Sequence, residues 1–156
     1  MEIHARVNGT AVSAAIESHW TLLQMLRDRL ELKGAKEGCG VGVCGTCTVL
    51  LDGRPVSSCL TLASNADGCE VLTIEGLGAG SSLDPVQQAF LDSTAFQCAF
   101  CTSGMIMATK ALLATNPDPS EEDVKDYLSG NLCRCGTYIE VLQAVKRARE
   151  LGTSSS

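Results

Sequence analysis

Sulfur is concentrated in this chain at spacings that suit metal chemistry. Of the nine cysteines, Cys39, Cys44 and Cys47 form a Cys-x4-Cys-x2-Cys stretch, and Cys59 follows it. A second set pairs Cys98-x2-Cys101 with Cys133-Arg134-Cys135. Three thiolates on one tight loop, completed by a fourth, suit two irons bridged by sulfide. Tetrahedral zinc sites more often present two short Cys-x2-Cys pairs. The first set therefore points to a [2Fe–2S] cluster held by Cys39, Cys44, Cys47 and Cys59. On spacing alone the second set fits zinc, one [2Fe–2S] cluster or a redox disulfide pair.

The rest of the composition favours metal over disulfides. The N-terminus shows no basic start, apolar stretch and cleavage site of an export signal, which places the chain in the cytoplasm, where structural disulfides are rare. An odd number of cysteines agrees. No apolar run approaches the ~20 residues of a membrane span. Net charge is −6 with both signs interspersed, and no basic stripe is present to favour nucleic acid. One Trp, two Tyr and three Phe leave little large side chain for a core, so clusters that staple two small halves would help them fold.

The elements that must position these cysteines can be read from pattern. Ile3, Ala5 and Val7 alternate with polar residues as in a half-buried strand. Asn8-Gly9 supplies a tight hairpin turn, and Val12, Ala14 and Ile16 alternate on the return strand. Thr21 caps a helix with Leu22, Met25, Leu26 and Leu30 on one face. A glycine-rich loop from Gly34 to Gly45 carries Cys39 and Cys44, its glycines giving the backbone freedom to curl around a cluster. Strands are expected at Thr48–Leu51 and Pro55–Leu60 around Asp52-Gly53, and at Glu70–Ile74. Residues 76–82 then read as a linker. Gly76-x-Gly78-x-Gly80 lacks the sixth-position glycine or alanine of a dinucleotide fingerprint, because Ser81 stands there.

The second half reads as four helices. Asp84-Pro85 starts the first. The second runs from about Thr102 to Thr115, stopping before Asn116-Pro117. Ser120 and Asp123 open the third, and the last buries Val141, Leu142, Val145 and Ala148. The expectation is an α+β chain: residues 1–76 a β-grasp ferredoxin-like domain, residues 83–151 a four-helix domain that holds the second cysteine set. The first set has the spacing of plant-type ferredoxins. His4, His19, Met105, Met107 and Cys69 read as structural.

Longer motifs carry a more specific resemblance. Glu37-Gly38-Cys39 and Cys44-Gly45-Thr46-Cys47-Thr48-Val49 resemble the first-cluster motif of the xanthine oxidase family. Gln97-Cys98-Ala99-Phe100-Cys101-Thr102-Ser103-Gly104-Met105-Ile106 and Ser129-Gly130-Asn131-Leu132-Cys133-Arg134-Cys135 resemble its second. That family of molybdenum hydroxylases includes xanthine dehydrogenases, aldehyde oxidoreductases, carbon monoxide dehydrogenases and N-heteroaromatic hydroxylases. The resemblance implies a small electron-transfer subunit without catalytic residues of its own. It carries two [2Fe–2S] clusters, the distal one on the first set and the proximal one on Cys98, Cys101, Cys133 and Cys135. It further implies a large partner subunit that holds the molybdopterin cofactor, with Gln97 and Cys135 lying beside the pterin. An FAD subunit or another acceptor would receive the electrons. Two departures stand out. Ala99 and Ser103 occupy positions where most relatives have glycine and proline, and Gly136-Thr137-Tyr138 replaces the usual Thr-Gly-Tyr. The swapped order and the serine resemble some N-heteroaromatic hydroxylases.

Overall fold

Alternating apolar and polar residues give β1 (Glu2–Val7) one dry face, on which Ile3, Ala5 and Val7 are buried. The computed structural model describes residues 1–78, 80 and 82–153. Asn8 and Gly9 take φ of 51° and 78°, the left-handed pair of a two-residue hairpin turn. β2 (Thr10–Ala15) returns antiparallel, with Ile3 opposite Ala14. Asp52-Gly53, at φ 47° and 77°, makes the same turn between β3 (Thr48–Leu51) and β4 (Arg54–Ser57). β5 (Glu70–Leu72) runs parallel to β1 and antiparallel to β3, giving the order β2-β1-β5-β3-β4. Asn8 locks that junction: its amide donates to Thr73 Oγ1 and its carbonyl accepts from Thr73 N–H, both at 2.9 Å.

Three elements depart from the expected boundaries. Thr21 and Gln24 form a capping box, but regular helix α1 spans only Leu22–Gln24 before a π turn over Met25–Arg29. A helix this short is held by packing more than by its own bonds. Leu22, Met25 and Leu26 are fully buried, and Leu30 closes the wide turn by donating to Met25 O at 3.2 Å. β4 stops at Ser57 because Leu60 and Thr61 both donate back to Ser57 O, at 2.9 and 3.1 Å. That turn carries Cys59 out of the ladder. β5 stops at Leu72, and Ile74–Gly76 is a short 3₁₀ turn.

The helical half is α2 (Pro85–Asp92), α3 (Thr102–Thr115), α4 (Glu121–Tyr127) and α5 (Tyr138–Thr153). Asp84 with Gln87 and Ser120 with Asp123 form capping boxes. Of the expected linker, Ala79 and Ser81 lie outside the described residues. Helix α3 is apolar on nearly every side and forms the centre, as expected of a helix covered all round. The two cores meet at β3. Val49 points into the core of the sheet half, and its neighbour Leu50 points into the helical core. Alternation along this strand thus helps to join the halves, and Leu72 and Ile74 also pack against the helical core.

Candidate iron–sulfur centres

The approach to the first cysteine loop is tied to the π turn by Arg27, whose guanidinium donates to Lys33 O at 3.0 Å and Ala35 O at 2.7 Å. The loop then curls so that the N–H groups of Val41 and Val43 both approach Cys39 Sγ, at 3.4 Å. Cys39 is within hydrogen-bonding reach of Cys44. Cys47 and Cys59 are likewise adjacent. Ser58 holds them so, its hydroxyl donating to Cys47 O at 2.6 Å.

The second set forms where two helix starts converge. Cys101 directly precedes α3, and Cys98 lies in the turn before it. Cys133 and Cys135 lie in the loop before α5, where Cys133 N–H donates to the Tyr138 hydroxyl at 2.9 Å. Cys101 faces Cys133, and Cys98 faces Cys135. Between Cys98 and Cys101 the turn requires φ of 61° at Ala99, a left-handed value that costs a non-glycine residue about 1 kcal/mol or more. Ala99→Gly is therefore expected to stabilise the protein by about 0.5 kcal/mol, after allowing for the greater freedom of unfolded glycine. The thermal midpoint of the variant measures this, and a lower midpoint contradicts it.

Eight cysteines thus resolve into four adjacent pairs, two pairs at each site. A two-iron cluster takes two terminal thiolates on each iron, so paired sulfurs fit it. Among the described residues, no three His, Cys, Asp or Glu side chains gather as they would around a single ion. The surroundings suit negative charge. Cys39 is held down to about 6 by N–H groups of Val41 and Cys44. Burial pushes Cys133 up, but the Thr137 hydroxyl and backbone, with Cys101, outweigh it and bring it to about 7. Burial and Cys133 push Cys101 up to about 12, and burial and Cys47 push Cys59 up to about 11. Those protonated thiols must release their protons when a metal binds.

The two sites share one cavity of about 430 Å³, lined by Cys39 and Cys44 on one side and Cys98, Cys101 and Cys133 on the other. A polar seam closes it. Leu132 N–H donates to Cys44 O at 2.9 Å, and the buried Asn131 amide donates to Gly45 O at 3.1 Å. Gly45, at φ 70°, has no room for a side chain beside Asn131. Gly104 of α3 packs directly on Gly45, and a Cβ there falls 2.1 Å from its carbonyl oxygen. Sequence reasoning gave Asn131 and Gly104 no role. The available signal was a glycine inside an otherwise good helix, which marks close backbone approach. Gln97 is exposed and has no hydrogen-bond partner among the described residues. Cys69 stands apart from both groups, its Sγ 3.4 Å from Asn65 O.

Comparison with known proteins shows two matched regions. Residues 5–73 match the 2Fe-2S iron–sulfur cluster binding domain, and residues 73–146 match a [2Fe-2S] binding domain. The small FeS subunit of nicotinate dehydrogenase from Eubacterium barkeri is 45% identical over 148 residues, which cover 95% of this chain and 94% of that one. This chain belongs to the small [2Fe–2S] subunits of the molybdenum hydroxylases. Like them, this small subunit has two 2Fe–2S binding domains and transfers electrons within a multi-subunit oxidoreductase. The aldehyde oxidoreductase iron–sulfur-binding subunit of Escherichia coli is 39% identical, over 95% of this chain and 71% of its own. Quinoline 2-oxidoreductase from Pseudomonas putida 86 superposes with a TM-score of 0.94 at 42% identity, covering 99% of this chain and 96% of that one. No helix among the described residues of the small subunit is long and apolar enough to cross a membrane.

Proposed function

We propose that Cys39, Cys44, Cys47 and Cys59 ligate the distal cluster and Cys98, Cys101, Cys133 and Cys135 the proximal one. Residues 1–76 and 83–151 are then the two domains that hold them. When bound, two such clusters in series supply one-electron carriage, so the two electrons of a hydroxylation leave one at a time. The pairing of the sulfurs carries this reading. The Leu132 N–H to Cys44 O bond supports it further, because it joins a distal ligand to the residue beside a proximal ligand through one hydrogen bond and backbone. Backbone N–H groups at Cys39 stabilise the added negative charge of a reduced cluster.

The electrons come from a large subunit that holds the molybdopterin cofactor, and they leave to an FAD subunit or another acceptor. The complex works in the cytoplasm. Relatives that act on nicotinate and quinoline, with the Gly136-Thr137 order, favour an N-heteroaromatic substrate. Gln97 and Cys135 face the pterin. The exposed, unpartnered amide of Gln97, fixed beside a ligand, supports a bridge outward to the partner over a cap within this chain.

Rapid mixing of the assembled complex with substrate tests this. Gln97→Ala removes one hydrogen bond of about 1 kcal/mol, so cluster reduction slows about fivefold with both clusters intact. An unchanged rate at full molybdenum occupancy assigns Gln97 to structure alone. Turnover of substrate by the isolated subunit contradicts the electron-transfer reading as a whole.

A further inference from the structure

Among the described residues two threonine hydroxyls approach cysteine sulfurs, at Thr46 and Thr137, and they differ in what they can donate. Thr46 Oγ1 lies 3.3 Å from Cys44 Sγ but gives its proton to Lys36 O at 2.9 Å. Thr137 Oγ1 lies 3.2 Å from Cys133 Sγ and has no other hydrogen-bond partner among the described residues. The contact is dry, with Thr137 2% and Cys133 8% exposed. Thr137 directly precedes α5, and its carbonyl accepts from Val141 N–H at 3.0 Å. At such a position a threonine hydroxyl ordinarily accepts from a free helix N–H, yet here it is turned back to sulfur. Gly136 makes the turn possible, at φ 81°, with its N–H donating to Cys133 O at 3.2 Å.

We infer that Thr137 is a positioning residue that raises the reduction potential of the proximal cluster by donating its hydroxyl proton to Cys133 Sγ. A sulfur bound to iron carries no proton, so at this contact only the hydroxyl can donate. Reduction adds negative charge to the sulfur, the bond strengthens, and the reduced state gains more than the oxidised one. The buried surroundings keep water from replacing the lost donor. Thr46, already committed to Lys36, offers the distal cluster no equivalent. The chain thereby separates its two potentials by a side chain on one of them, with the Gly136-Thr137 order setting the hydroxyl on the sulfur.

The inference rests on Cys133 being a ligand, and one set of samples separates the two claims. The full chain in its assembled complex is titrated potentiometrically, with each reduced cluster followed by electron paramagnetic resonance. Iron and sulfide are assayed alongside. Thr137→Val keeps the shape and removes the donor. It is expected to lower the reduction equilibrium of the proximal cluster about tenfold, equivalent to about 59 mV for one electron. The distal potential stays fixed as an internal reference, and Thr137→Ser restores the proximal value. An intact proximal cluster at unchanged potential in Thr137→Val overturns the inference, as does failure of serine to restore it. Should Thr137→Val lose the cluster, Thr137→Ala is titrated instead, and loss there too assigns Thr137 to structure and ends the proposal. Survival of an unaltered proximal signal in Cys133→Ser, whatever Thr137 does, overturns the ligand reading itself.

Discussion

Cys47→Ser abolishes or grossly disturbs the distal cluster's paramagnetic signal and leaves the proximal one in place, and Cys133→Ser does the reverse. The wild-type chain carries about four irons and about four labile sulfides, and a variant whose signal is abolished loses about two of each. Both residues are buried, and a hydroxyl is a poor replacement for a soft thiolate. The separate response follows from geometry: the four sulfur pairs divide between two sites, and no sulfur of one site pairs with the other. Metal analysis with spectroscopy on each folded variant checks it. Loss of both signals from either folded variant contradicts two independent centres, and stoichiometric zinc with no visible absorption contradicts iron altogether.

Gly104→Val weakens both centres together, which no single cysteine change does. The new Cβ meets Gly45 O at 2.1 Å and Thr46 Cα at 3.0 Å. Both are backbone atoms of the first cysteine loop, and Asn131 pins the same Gly45 carbonyl. Neither side can yield without moving α3 off the loop. Overpacking of this kind costs about 3 kcal/mol, which for a chain of this size lowers the thermal midpoint by about 10 °C. Calorimetry and the bleaching of visible absorption on heating measure the effect. A midpoint and spectrum equal to wild type contradict the seam as a rigid junction.

Much of this architecture is written locally. Asn8-Gly9 and Asp52-Gly53 specify their hairpins because both residues of each turn need positive φ. Ser120 with Asp123, Asp84 with Gln87, and Thr21 with Gln24 specify helix starts by satisfying free N–H groups within one turn. Cysteine spacing on the first loop pointed to two irons because three ligands within one curl constrain one another directly. Where packing competes with such signals, boundaries moved. The α1 region widened to a π turn to keep Met25 and Leu26 buried, and the chain after Ser57 left the ladder to bring Cys59 to Cys47.

Sequence alone determined the elements, the two cysteine sets and the family they signal, since each depends on residues a few positions apart or on a contiguous motif. Only the tertiary structure decided which sulfur pairs with which, that Asn131 reaches Gly45 across 86 residues, and that Gly104 meets the same carbonyl. It also decided that Thr137 spends its hydroxyl on sulfur instead of on the helix it begins. Spacing along a chain limits how far a loop can reach, but not what it meets there. The partner of a buried polar atom is set by whatever close packing brings beside it.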